Sequence, residues 1–412
     1  MRLLLNRIVI SVTIIIFLCA PVFASGFSIF THGARGFGLA GAFAAKAGDP
    51  SAIFYNPAGI GNITGTRVLV GFAPLLHQSL FEHDPLTSYP TKTILDKKLL
   101  FLPTLYFTSR ITSRITAGFG IYSPFGFNIS WADNWPGQKI LTESSLYTFS
   151  LNPVMAYRLT SSINVAVGYQ FVKGYYGIKR FPYAPDIYNV DRPVSELGAK
   201  AITEADGSGA GFTAGLQLRG TDMITLGLCY RSSIKLDLNG DITLIPEVSP
   251  GSNIGTEIGL PASVVFAIDY MPNEFLALEA DVIWMEWSSF DKIAITADNP
   301  TLSYTSPKQL TDNVHFRLSL EYSAEDIAVF RTGYFYAPSP APDEYLDPMI
   351  PNTLREGITL GIGWSYEQYT FDAAYLHSFK RDRYSDYSKI LSNGRYEYKA
   401  EGFAVSLSYR ID

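Results

Sequence analysis

The chain has 412 residues, 47% hydrophobic and 14% aromatic, with 32 Lys+Arg against 38 Asp+Glu and a formal net charge of -6. That balance excludes a basic surface for nucleic acid. After the first two dozen residues there is no run of about 18 apolar residues, which excludes a helical membrane span and leaves a transmembrane β-barrel or a soluble β-sandwich.

Residues 1–24 read as a secretory signal peptide. Arg2 and Arg7 precede an apolar run from Ile8 to Ala20, and Val22-Phe23-Ala24 forms a small-x-Ala cleavage site. Cys19 follows Leu18, where a lipoprotein site calls for a small residue, so Cys229 is left as the only cysteine after processing and no intramolecular disulfide forms.

Residues 25–64 are rich in glycine and small apolar residues and do not alternate as a strand does. Leu39–Ala47 predicts a short Ala-rich helix stopped by Gly48, and Asp49-Pro50 predicts the cap and first position of a second short turn. Gly36-Phe37-Gly38-Leu39-Ala40-Gly41 matches G-x-G-x-x-G formally, but it lacks the strand before it and the βαβ setting that nucleotide binding requires. Its glycines suit close packing against a wall.

From residue 65 to 412 the signal is repetition. Residues 163–171 put Ile163, Val165, Val167, Tyr169 and Phe171 on one face and Asn164, Ala166, Gly168 and Gln170 on the other; 314–322 and 403–409 do the same. The strands predicted are 66–77, 98–109, 113–123, 144–158, 162–177, 209–219, 223–237, 258–271, 275–290, 312–322, 326–337, 355–366, 369–381 and 396–410. These are fourteen, with short turns alternating with connections of a dozen or more residues, as in outer-membrane barrels. A sandwich has the same period two, so the alternation of connection lengths carries the membrane assignment. Aromatic pairs at Tyr175/Tyr176, Trp284/Trp287, Tyr334/Tyr336 and Tyr396/Tyr398 suit a membrane interface. A fourteen-stranded lumen is too wide for wall side chains to fill, so residues 25–64 are expected to plug it.

Gly36-Phe37-Gly38-Leu39-Ala40-Gly41-Ala42, Gly48-Asp49-Pro50-Ser51-Ala52 and Tyr55-Asn56-Pro57-Ala58 together resemble the amino-terminal hatch of the FadL/TodX outer-membrane transporters. The resemblance implies an all-β fold: an antiparallel barrel of fourteen strands in the outer membrane, with the hatch in its lumen. It also implies passive, substrate-gated uptake of hydrophobic molecules, most characteristically long-chain fatty acids, without enzymatic activity or cofactor. In the family the Asn56-Pro57-Ala58 tripeptide packs against a kinked third strand beside which substrate leaves laterally. Here that strand carries Gly118 and Gly120 and ends at Ser123-Pro124-Phe125-Gly126, where glycine tolerates a bend and proline removes a ladder donor. The alternative is that Pro124 simply ends the strand.

An anionic head group would call for an inward cation. Strand parity turns Arg231, Arg317 and Arg331 inward together with Glu279, Asp281 and Glu321; Arg317 and Arg331 are the candidate carboxylate anchors, against the alternative that each pairs with a lumen carboxylate. Two long loops, 123–143 and 178–208, carry Trp131, Trp135, Ile140, Leu141, Phe181, Pro182, Tyr183 and Ile187, which would form either a groove collecting apolar substrates or a self-packed cap. His32, His77, His83, His315 and His377 show no metal-ligand spacing, and His315 and Ser319 lie about 13 Å apart along one strand, too far for a nucleophile and its base. Neutral aromatic hydrocarbons as substrates, or a structural barrel with a sealed plug, are the rival readings. Partners are membrane lipid, the hydrophobic substrate and the outer-membrane assembly machinery, for which Tyr409 stands three residues before the end; the chain is expected to act as a monomer.

Overall fold

A computed structural model describes residues 26–30, 32–83, 92–95, 99–135, 137–182, 198–247, 249–324, 327–349, 354–385 and 394–411. The signal peptide, Tyr183 and Ile187 lie outside these residues. Fourteen antiparallel strands close into a barrel. In order they are β1 (Thr66–His83), β2 (Leu99–Arg110), β3 (Ile115–Tyr122, resuming as Gly126–Ser130), β4 (Glu143–Arg158), β5 (Ile163–Arg180) and β6 (Lys200–Arg219). There follow β7 (Ile224–Arg231, then Ile234–Ile245), β8 (Ser252–Leu260, then Ser263–Asn273), β9 (Leu276–Met285), β10 (Asn313–Ala324), β11 (Ala328–Ala337), β12 (Arg355–Tyr366), β13 (Tyr369–Ser378, then Arg381–Ser385) and β14 (Gly394–Ile411). The ladder between β1 and β14, from Thr66 opposite Ile411 to His83 opposite Gly394, closes the sheet.

The barrel is inside out relative to a soluble protein. On β10, His315, Arg317 and Glu321 are buried while Leu318 and Tyr322 are exposed, and on β5 Val167, Tyr169 and Phe171 are exposed while Gln170 is fully buried. An apolar exterior on strands that turn charged side chains inward suits lipid, which settles the choice between membrane barrel and sandwich that period two leaves open.

Several strands run on past the predicted ends. β6 starts at Lys200 rather than 209, because Lys200–Ser208 pair with Asp237–Ile245 of β7. The first segment of β8 likewise pairs with a hairpin formed by Lys292–Ala297 and Tyr304–Pro307. β9 stops at Met285 rather than 290 because Trp287–Ser289 turns in a short 3-10 helix.

The aromatic pairs divide differently from the expectation. Tyr175 faces out, but Tyr176, Trp287 and Tyr396 are buried in the upper core. The clearer girdle lies at the short-turn end, where Trp364 stacks on Phe371 (5.5 Å between ring centroids) and Tyr369 meets Tyr409 (5.0 Å). In the upper loops Trp131 and Trp135 stack at 4.8 Å and, with Leu141 and Phe181, are buried, so aromatic self-packing forms a cap where a collecting groove was the other possibility.

Candidate functional site

The N-terminal segment lies against the inward faces of the barrel. It contains α1 (Ala34–Gly38), α2 (Ala52–Tyr55) and a 3-10 helix over Pro57–Asn62. The helix expected over 39–47 does not form. Ala40 and Gly41 take left-handed backbone conformations (φ 53° and 81°), and the wall supplies the partners that a helix would have provided.

Asp281 Oδ2 accepts from Phe43 N and Ala44 N (3.2 and 3.3 Å), and Glu279 accepts from Ala45 N and Lys46 N (2.6 and 3.1 Å). Four successive amides thus hold two carboxylates of β9. The carbonyls of the same stretch are met by Arg317 on Ala40, Ser319 on Ala42 (3.1 Å), Asn56 on Ala44 (2.8 Å) and Gln217 on Ala45 (2.7 Å). At its C-terminal end, Gly61 O accepts from Arg110 (3.1 Å) and Arg158 (2.7 Å).

The predicted glycines pack at close quarters. Gly36 lies under the Tyr55 ring, Gly38 abuts Gly361 of β12 and accepts from Thr359 Oγ1 (2.8 Å), and Gly41 lies between Phe30 O and Arg317. Asn56 bonds Leu216 O of β6 (3.0 Å), and Pro57 reaches 3.0 Å from where a Cβ on Gly215 would stand. The bonds of the Asn56-Pro57-Ala58 tripeptide therefore run to β6 rather than to the third strand. Ile53 faces that strand instead: a Cβ on Gly118 or Gly120 would come within 3.0 or 3.1 Å of its side chain.

β3 is interrupted at Ser123–Phe125. Below the break, Leu105–Arg110 of β2 pair with Thr116–Ile121 of β3. Above it, Gly126–Ser130 pair with β4, and Leu99–Thr104 of β2 pair with β1. Among the described residues no ladder joins those two upper segments to each other. The N-terminal segment covers the break from inside: Ser28 bridges Phe125, Ile29 N donates to Pro124 O (2.9 Å) and Gly126 N to Phe27 O (3.0 Å).

A cavity of about 140 Å³ lies behind this edge. Ile29, Phe30, Leu100, Phe127, Phe335 and Leu376 give it an apolar lining, and Arg317, Arg355 and His77 are its basic groups. Arg317 stands 4.8 Å from the Phe30 ring centroid at the cavity floor while it holds Ala40 O. Arg355 lies over Tyr398 (5.0 Å) and has no carboxylate partner among the described residues. Arg331 does not line the cavity. It is paired with Glu321 and Asp372, each at 2.7 Å, in a network that also takes Arg35 and Lys46 onto Glu321. Although burial disfavours its charge, Arg35 is held above its ordinary value by Glu321 and Asp49. Arg231 ties β7 to Tyr122 Oη (3.0 Å) and Phe54 O (2.8 Å).

Sequence reasoning missed Arg355. Extending the inward parity of Gly357 and Thr359 back to the first residue of β12 would have found it.

The sequence model described as outer membrane protein transport protein (OMPP1/FadL/TodX) matches residues 15–411. A long-chain fatty acid transport protein of Escherichia coli O6:H1 is 24% identical over 320 residues, 68% of this chain and 70% of that protein. Outer membrane protein P1 of Haemophilus influenzae is 19% identical over 289 residues, 65% of this chain and 63% of that protein. The crystal structure of a Pseudomonas aeruginosa FadL homologue superposes with a TM-score of 0.80 at 20% identity, covering 94% of this chain and 100% of that one. The Ralstonia pickettii toluene transporter TbuX gives 0.73 at 16%, covering 93% and 99%. The chain belongs to the OMPP1/FadL/TodX family of outer-membrane transport proteins.

Proposed function

We propose that this outer-membrane transporter of hydrophobic compounds carries amphiphilic carboxylates of the long-chain fatty acid class, and that they leave sideways through the barrel wall between β2 and β3. The reading rests on one observation: an apolar cavity with Arg317 and Arg355 on its lining lies directly behind the unpaired upper edges of β2 and β3, since Leu100 and Gly126 belong both to those edges and to the cavity. An apolar pocket with one or two placed cations is what an amphiphile with an anionic head requires. Residues 25–64 act as the hatch. The backbone of the described residues among them makes so many bonds to the wall that a passage through the lumen would have to break many at once, whereas the sideways route breaks the bridge at Phe125 and the packing of Phe27 on Phe125 and Phe127.

The test is binding of oleate to the detergent-purified protein by native mass spectrometry and calorimetry. Loss of roughly tenfold in affinity in Arg355→Gln supports the anionic amphiphile, since tenfold corresponds to about 1.4 kcal/mol. Unchanged oleate affinity in both Arg355→Gln and Arg317→Gln moves the neutral aromatic hydrocarbon reading ahead. No apolar ligand bound in excess supports a sealed structural barrel.

A further inference from the structure

The cavity behind the β2–β3 edge has a roof. All of its described lining residues but one belong to the barrel strands or to residues 28–30; the exception is Met349, from the long connection between β11 and β12. That connection leaves β11 along the rim, where Asn313 Nδ2 donates to Pro338 O (2.6 Å), Thr311 N to Pro340 O (2.8 Å) and Arg383 to Ser339 Oγ and Ala341 O (2.9 and 2.7 Å). Its far end is held elsewhere. Trp131, just past β3, donates from Nε1 to Pro348 O (3.1 Å), and Tyr176 Oη of β5 lies 3.9 Å from Met349 Sδ. β3 and β5 are each six strands from β11 by the shorter way round the wall, so residues 338–349 cross the mouth of the barrel and set the buried Met349 over the cavity.

One ion pair holds that far end down. Lys308 Nζ meets Asp347 Oδ2, with the two side chains only 4% and 5% exposed. Lys308 also donates to Ser306 Oγ (3.0 Å), and Asp347 Oδ1 accepts from Met349 N (2.7 Å). Around the pair the cap is apolar: Leu346 and Met349 belong to one buried cluster with Trp131, Trp135, Phe290 and Leu310. A buried ion pair adds little stability over an apolar pair of the same shape, yet splitting it is costly, so what it supplies here is one fixed arrangement of the chain. Lys308, Asp347 and Trp131 do not line the cavity; they act on it only through Met349.

We propose that residues 338–349 are the entry gate on the extracellular side: an apolar ligand reaches the cavity by lifting Met349, and the Lys308–Asp347 pair is the latch that sets how often this happens. An unbranched, polarisable thioether yields to ligands of differing shape, which suits it to the roof. The gate rests on the reading that ligands occupy this cavity, but not on their charge. It closes over the empty and the filled cavity alike, so loosening the latch speeds entry and escape by the same factor and leaves the equilibrium where it was.

The experiment is stopped-flow fluorescence on the full chain in detergent with two apolar probes, the anionic cis-parinarate and the neutral N-phenyl-1-naphthylamine, in wild type, Asp347→Asn and Trp131→Phe. The expected result, for whichever probe binds, is that kon and koff rise together several-fold in both variants while Kd is unchanged. Binding of the neutral probe alone would contradict the fatty acid reading, and its rates then decide the gate. Wild-type rates in both variants overturn the gate, and so does a weaker Kd carried by koff alone, which would make residues 338–349 part of the binding surface. Failure of either probe to bind the wild type overturns it as well. If Asp347→Asn does not fold, wild-type rates in Trp131→Phe overturn it by themselves.

Discussion

Ser28 and Phe125 face each other across an antiparallel bridge that joins the N-terminal segment to the break in β3. Two backbone hydrogen bonds flank it, worth about 0.5–1.5 kcal/mol each. The body of the segment is held by some ten bonds of the same kind or stronger, including the clasp of Glu279 and Asp281 on Phe43–Lys46. Hydrogen bonds to the wall are thus denser along the body of the segment than along residues 26–30, where Phe27 is held by packing against Phe125, Phe127, Trp287 and Phe290.

Arg331 and Arg355 should separate cleanly. Arg331→Met leaves Glu321 and Asp372 buried without their shared cation and is expected to destabilise the barrel by about 3–5 kcal/mol, with oleate affinity unchanged in the protein that folds. Arg355→Gln should leave Tm within about 1 °C and weaken oleate, because Arg355 contacts Tyr398 and the cavity but no carboxylate among the described residues. Thermal unfolding and oleate titration on the two variants check both statements.

The clasp on β9 predicts local loosening. In Glu279→Ala/Asp281→Ala, the amides of Phe43, Ala44, Ala45 and Lys46 lose their acceptors, each an orphan costing about 1–3 kcal/mol. Hydrogen exchange at residues 42–47 should accelerate by at least tenfold while that of β1 and β14 stays unchanged; uniform acceleration would mean that the barrel itself had been damaged.

Gly120 makes room for Ile53 and for the Tyr106 ring, which stand 3.1 and 2.8 Å from where its Cβ would be. Gly120→Val is expected to cost about 1–3 kcal/mol by overpacking. Ile53→Ala in the same chain should recover part of that, and failure of any recovery in urea unfolding would show that the contact with β3 is not the cause.

The strand count and the short turns were legible because period two and the turn residues report the backbone directly. The contents of the lumen were less so. Ala-rich 39–47 has helix propensity, but carboxylates more than 230 residues downstream claim its amides, a competition no local window contains. Parity turned Arg317 and Arg331 inward alike; that one meets a cavity and the other Glu321 and Asp372 depends on which strands become neighbours. Aromatic pairs such as Tyr175/Tyr176 marked the upper rim, yet successive residues on a strand point to opposite faces, so one of them was bound to be buried.

Sideways release is tested most directly by closing the bridge covalently. Ser28 and Phe125 form a non-hydrogen-bonded antiparallel pair, whose Cα separation of about 4.5 Å suits a disulfide, and the one native cysteine of the described residues, Cys229, is buried. Oleate uptake is measured in cells carrying Ser28→Cys/Phe125→Cys, oxidised and then reduced, beside the single-cysteine chains. The account predicts uptake near background when oxidised, near wild type when reduced, and oleate binding to the purified protein retained in both states. Full uptake by the oxidised, cross-linked protein would contradict it.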